Sequence, residues 1–265
     1  MNGAGSAPGK VPGSSHGKVP GSSPGKAAGV KTVTRAGPLA RLLICDFVSH
    51  FRRGIIGAYV IVTIIYLALL LQFPERVRPF VTLILLFTDT TAIGFFFVGA
   101  VVQWEREERV YEGLFVTPLS PPVFLLARVI SLTLIAAAAG AVLVLAGAEL
   151  GRFRPSVFLA AVVLSTAFFT LLGISIAVRT SGVNSYFITA TIITAPLFVP
   201  VLGVLDVWFH PLLVLIPTGS GLLLLQSALG LGEELPRLTA GRMHEGILIP
   251  AVVLLLWTAA ASGLA

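Results

Sequence analysis

Charge is what this chain has least of. Asp, Glu, Lys and Arg together make up 11% of its 265 residues, against roughly 25% in an ordinary globular protein. Hydrophobic residues make up 56%, and the mean hydropathy is +0.96. A soluble fold has too little interior for that much apolar surface, so lipid must be the solvent for most of the chain. Cysteine is nearly absent too. A single residue, Cys45, excludes a disulfide scaffold and a cysteine-ligated zinc site. Twelve acidic residues and four scattered histidines leave little material for charged catalysis. His244-Glu245 opens like a metalloprotease helix, but Leu248 stands where the second histidine ligand belongs. An intramembrane enzyme therefore has no visible machinery. The composition is that of an all-α integral membrane protein.

The net charge of +6 is unevenly placed. All four lysines (Lys10, Lys18, Lys26, Lys31) fall in the first 31 residues, and the 14 arginines sit mostly at the edges of apolar runs. A nucleic-acid reader interleaves its basic patch with aromatics; a tail plus membrane-edge anchors does not, so no nucleic-acid partner is expected. Residues 1–37 form a Gly/Pro/Ser/Lys-rich tail in which GKVPGSS occurs at 9–15 and again at 17–23. So polar a repeat cannot bury enough surface to order itself, which predicts a disordered cytoplasmic tail. It lacks the apolar core of a signal peptide. Nor is Gly21–Lys26 a phosphate loop, because only three residues separate its glycines and Ala27 replaces the Ser/Thr.

Residues 38–265 read as one transmembrane domain. Pro38 suits a first helical turn. Leu39, Leu42, Leu43, Phe47 and Phe51 then share one face, with Arg41, Ser49 and Arg52 turned away. An amphipathic helix ending at Arg52-Arg53, just before an apolar run, is expected to lie in the membrane interface. Spans of about 20 residues are predicted at 54–73, 80–103, 122–148, 156–178, 184–205 and 245–263. A seventh apolar window, 207–232, is interrupted by Pro211, Pro217 and Thr218-Gly-Ser-Gly221. Non-helical backbone survives at that depth only when shielded, so 207–243 is read as a re-entrant or surface-lying helical pair on the outside. Six spans put both termini on one side. A cytoplasmic N-terminus places 12 Lys and Arg inside and 6 outside, as the positive-inside rule favours. The expected location is the cell membrane.

The most densely charged stretch lies between the second and third spans. Positions 104–112 hold six charged residues, and Glu105, Glu108 and Glu112 fall on one helical face. Val110, Tyr111, Leu114 and Phe115 line another. Glu105 and Arg109 stand at the favourable i,i+4 spacing. Thr117-Pro118 and Pro121-Pro122 stop the helix before the next span. A loop that only connects two spans needs neither an aromatic ridge nor a rigid stop; the ridge suits docking into a partner's groove.

Glu105-Arg-Glu107, Glu112, Leu114 and Val116-Thr-Pro118-Leu119 resemble the signature of ABC-2-type transporter permeases. Arg109-Val110 departs from it where that family usually has Gly-Thr. The flanking Gly94-Phe-Phe-Phe-Val-Gly-Ala100 and the run from Val116 to Pro121 are similar to a drug-efflux subgroup that includes fluoroquinolone-type exporters. The resemblance implies that Glu105, Arg106, Glu107, Glu112, Leu114, Phe115, Thr117 and Pro118 belong to a cytoplasmic coupling helix that docks on a separate ATPase subunit. It also implies a second permease chain, with no cofactor on this one and ATP bound by the partner. One embedded charge remains, Asp89 within Thr88-Asp-Thr-Thr91. An ionisable group inside a span is a functional candidate by default, and Thr88, Asp89 and Thr91 are the expected translocation-path residues. The alternative is that Asp89 caps a break or bonds to neighbouring hydroxyls. Arg128 and Glu149 read as interfacial anchors that snorkel. A rival reading of the chain is a membrane scaffold that recruits a soluble partner through 104–118.

Overall fold

The computed structural model describes residues 38–108, 121–205, 210–231 and 247–264. The tail 1–37 lies outside these, as do Glu112, Leu114, Phe115, Thr117 and Pro118, and 207–209 and 232–243 of the expected helical pair. Among the described residues the secondary structure is helical throughout. Helix α1 (Pro38–Arg52) meets α2 (Ile55–Leu71) at a bend of 68°. Gly54 makes the corner with φ 73, a left-handed conformation that glycine adopts without the usual Cβ clash. So sharp a corner rules out α1 as a straight extension of the first span.

The faces of α1 differ from the expected arrangement. Asp46, Ser49 and His50 turn toward the protein, while Phe47 and Phe51 are exposed. Ser49 was expected on the outer face with the arginines. The difference follows from chemistry: α1 packs against the helix that carries Arg128 and Ser131, which offer Asp46 its partners, and Phe47 and Phe51 are left outside.

Helix α3 (Arg78–Thr91), a π-helical stretch (Ala92–Phe97) and α4 (Val98–Glu107) run on as one 30-residue helix. At 1.5 Å per residue it is about 45 Å long, against a hydrocarbon core of roughly 30 Å. One end must therefore project. Helices α5 (Pro121–Gly147) and α6 (Pro155–Arg179) are also long and apolar enough to cross a membrane. Among the described residues three helices pass that test, or four if α1 and α2 count as one bent span.

Helix α6 is the central strut, packed against α5, the π-helical stretch and two later helices. Gly94 and Gly173 bring it close to the long helix. A Cβ on Gly94 would stand 2.8 Å from Phe169 Cβ, and one on Gly173 would stand 2.6 Å from Val98 Cγ1. Small residues at such crossings let backbones approach where dispersion must hold helices together in lipid.

The fifth apolar window, expected as one helix over 184–205, is broken. Helix α7 (Val183–Leu197) gives way at Phe198 to the short α8 (Val199–Val204). Pro200 has no N–H to bond the carbonyl of Pro196, so the ladder cannot continue unbroken. A 3-10 turn (Pro211–Leu215) then leads into α9 (Pro217–Ala228), and α10 (Leu248–Leu264) is the last helix. Pro217 opens α9 as the window's composition predicts.

Nearly all of α9 is buried, so this segment does not lie on the surface. It begins midway along α6, where Gly221 meets Ser165, and ends where Arg154 N–H donates to Ala228 O at 2.8 Å. Its entry turn is tied down by the Ser220 hydroxyl, which donates to Val214 O at 2.6 Å, and by the Thr218 hydroxyl, which donates to Leu197 O. Trp257 on α10 covers the turn with an indole N–H to Leu215 O at 2.9 Å. Each of these groups satisfies a carbonyl that an unbroken helix would have satisfied itself.

Candidate functional site

The charges expected at the end of the second span are present, but they point in different directions. Glu105 is 5% exposed and faces the bundle. Both its oxygens accept from Arg128 Nη2, at 2.6 and 2.7 Å. Arg128, on α5, reaches Asp46 Oδ1 of α1 with Nη1 at 3.0 Å. Ser131 donates to the other oxygen of Asp46. His50 Nδ1 lies 2.6 Å from Asp46 O, one turn back. From the corner between α1 and α2, Arg53 bonds Glu108 at 2.8 Å and stands 3.6 Å from Glu105.

Three helices and the α1–α2 corner thus meet in one network, with a guanidinium at its centre. Arg128 was expected to snorkel as an interfacial anchor. Instead it is 3% exposed, with Phe124 packed across its face at 5.5 Å. A buried arginine is tolerable here because two carboxylates neutralise it and occupy its rigid fork. Glu105 takes its cation from 23 residues along the chain; Arg109, its expected i,i+4 partner, lies outside the described residues. Glu149 keeps its anchoring character, exposed beside Arg152 at 3.7 Å.

Arg106 turns the opposite way. Its Nη1 donates to Ala177 O at 3.1 Å and Thr180 O at 2.9 Å, while Gln103 donates to Ala177 O and Thr180 Oγ1, both at 2.8 Å. Ala177 O and Thr180 O are carbonyls at the C-terminal end of α6, where a cation also meets the negative end of the helix dipole. Arg106 and Gln103 therefore clamp α4 to α6. Arg106 and Glu107 are both exposed, but Arg106 is bonded back to α6. Of the three residues at the start of the coupling motif, Glu105 and Arg106 hold the helix in place and Glu107 faces outward.

The second candidate group sits higher on the same helix. Asp89 is 2% exposed and accepts a hydrogen bond from the Tyr59 hydroxyl of α2. Thr91 is buried with its hydroxyl bonded to Phe87 O at 2.8 Å, and Thr90 does the same to Leu86 O. Thr88 is half-buried. The threonines thus bond back to their own helix, and Asp89 takes its partner from another.

Immediately beyond, the backbone loosens into the π-helical stretch, a feature common at functional positions in helices. Tyr186 on α7 is fully buried and donates to Phe95 O there at 2.5 Å. Phe95, Phe96, Phe169, Tyr186 and Phe187 form an aromatic cluster around it, with Phe96 and Phe187 stacked at 6.1 Å. Sequence reasoning passed over Tyr59, Gln103, Asp46 and Tyr186. The available signal was Asp46 and His50 set one turn apart on α1.

Over residues 38–264 the chain matches the fluoroquinolones export permease protein family. Two Mycobacterium tuberculosis proteins, from strains CDC 1551/Oshkosh and H37Rv, are each called a fluoroquinolones export permease protein. Each is 33% identical over 197 residues, covering 74% of this chain and 81% of the relative. No solved structure matches the chain. The match takes in the long helix with Asp89, the charged network at its end and the buried α9, and by it this chain belongs to the fluoroquinolones export permease family.

Proposed function

We propose that this chain is the membrane-spanning subunit of an ABC-2-type exporter. It crosses the cell membrane six times with both termini in the cytoplasm, and it moves an amphiphilic or drug-like substrate outward. Fluoroquinolones, the compounds in its relatives' names, are the first substrate class to test. Two copies, or this chain and a related one, form the pathway between their second and fifth spans. The aromatic and hydroxyl-rich, weakly charged character of those helices suits a planar amphiphile better than a sugar or an ion. A separate ATPase docks on 104–118 and hydrolyses the ATP.

The observation that carries this reading is the 30-residue helix Arg78–Glu107, which holds both Asp89 and the start of the charged segment. Its projecting end bears the charged motif and is clamped to α6 by Arg106. A push on that end is delivered to α4 and, through the Arg106 clamp, to α6, not absorbed in a slack loop. Closure of the ATPase pair then shifts the membrane halves between inward-open and outward-open populations.

Inside-out membrane vesicles from the native host test this. With the chain present, ATP should drive uptake of a fluorescent fluoroquinolone, and deletion of the chain should abolish it. A chain that recruits an ATPase while drug uptake is the same with and without it would be a scaffold, and the exporter reading would fail.

A further inference from the structure

Arg128 is placed to do more than neutralise Glu105. Nη2 spans both oxygens of Glu105 on α4, Nη1 takes Asp46 on α1, and the residue itself belongs to α5. Arg53 adds a second tie, from the α1–α2 corner to Glu108. A surface helix that merely floats in the interface needs no such bonds, and its apolar face alone would hold it. Here the inward face of α1 carries its acid and its histidine.

We propose that Arg128 is a positioning residue for energy coupling: it binds α1 and the head of α5 to the end of α4, so that a displacement of the charged segment moves all three together. The lever reaching the membrane is then a three-helix unit. Its outer member α1 carries the motion through the Gly54 corner into α2, which holds Tyr59 against Asp89. The reading rests on the proposed docking of an ATPase at 104–118 and adds the element through which that docking acts.

Geometry dictates the informative variants. A lysine keeps the positive charge but cannot span Glu105 and reach Asp46 at once, because it lacks the planar fork. Asp46→Asn keeps an acceptor for Ser131 and leaves α1 docked, while removing the charge that Arg128 grips.

The test uses the complete permease–ATPase complex in host membranes. It measures abundance, melting temperature, ATP hydrolysis and drug uptake for Arg128→Lys and Asp46→Asn. Both variants are expected at parental abundance, melting within a few degrees of the parent and hydrolysing ATP. Drug uptake should fall at least tenfold, so that far more ATP is spent per drug moved. A purely structural role would lower melting temperature, hydrolysis and uptake in step, and that outcome overturns the proposal. So does parental uptake in either variant.

Phe115→Ala separates this inference from the one beneath it. If Phe115→Ala blocks ATPase association while Arg128→Lys transports normally, only the role of Arg128 falls. If Phe115→Ala is itself without effect, the docking reading falls and takes this one with it.

Discussion

The long helix Arg78–Glu107 makes two polar contacts of opposite kind, and the contrast explains how one helix serves two solvents. At Asp89, 2% exposed, a carboxyl group accepts a hydrogen bond from the Tyr59 hydroxyl. At Glu105, near the end, a carboxylate is gripped by two arginines within a network of opposite charges. Assembling full charges is costly in a low-dielectric interior unless every one is paired, and at this end of the helix Arg128 is shared by Asp46 and Glu105 while Arg53 is bonded to Glu108. Within the bundle the chain makes do with hydroxyl donors, from Tyr59 and Tyr186. The end of the helix is built to be held, whereas the middle, with a π-helical stretch and one hydrogen bond at each of these contacts, is built to yield.

Removing the cation at the end should have the largest effect. Arg128→Met leaves two carboxylates, Asp46 and Glu105, facing each other without the cation they share, and stripping that central partner from a buried ion network costs about 3–5 kcal/mol, whereas Asp46→Asn leaves Arg128 its bonds to Glu105 and a neutral acceptor. The expected result is sharply reduced abundance and a lowered melting temperature in detergent. Tyr59→Phe should cost less, about 1–3 kcal/mol, since it strands one buried acceptor at Asp89. Folding should survive, and the same melting measurement should rank it clearly below Arg128→Met. If the two variants melt alike, the distinction between a held end and a yielding middle is wrong.

Smaller again is Tyr186→Phe. It removes the hydroxyl from Phe95 O but keeps the ring in the aromatic cluster, for about 0.5–1.5 kcal/mol. Hydrogen exchange should then quicken across Ala92–Phe97 with little change near Glu105. Quickening at both sites would mean that the helix responds as one stiff rod. Deleting residues 1–30 should have no effect on insertion or drug uptake, because that sequence has no apolar set from which to build a core. A large loss of uptake at equal expression would give the repeat a role.

What could be read from the sequence was whatever depends on near neighbours. The spans predicted at 54–73, 122–148 and 156–178 fall on α2, α5 and α6 because a run of apolar residues dictates its own helix in lipid. The break at Pro217 was equally local. The direction of each charge was not legible. Glu105 and Arg106 are adjacent in sequence, yet one enters the network and the other caps α6, a choice made by partners 23 and more than 70 residues away. Arg128 read as a snorkelling anchor for the same reason, since nothing near it announces Asp46, 82 positions earlier. The π-helical stretch was hidden as well: its Phe run and glycine are ordinary in a span, and only the approach of α6 and the Tyr186 hydroxyl gives the wider turn its support.

The central claim is that residues 104–118 transmit the work of an ATPase to this bundle. Phe115→Ala and Glu112→Lys test it most directly, measured together for abundance, ATPase association and ATP-driven fluoroquinolone uptake in inside-out vesicles. An apolar anchor at a docking surface typically contributes about 1–3 kcal/mol, and reversal of Glu112 should weaken docking further. The account predicts parental abundance with weakened ATPase association and lost uptake in both variants. Parental association and parental uptake in both would make the segment a solvated loop and contradict it.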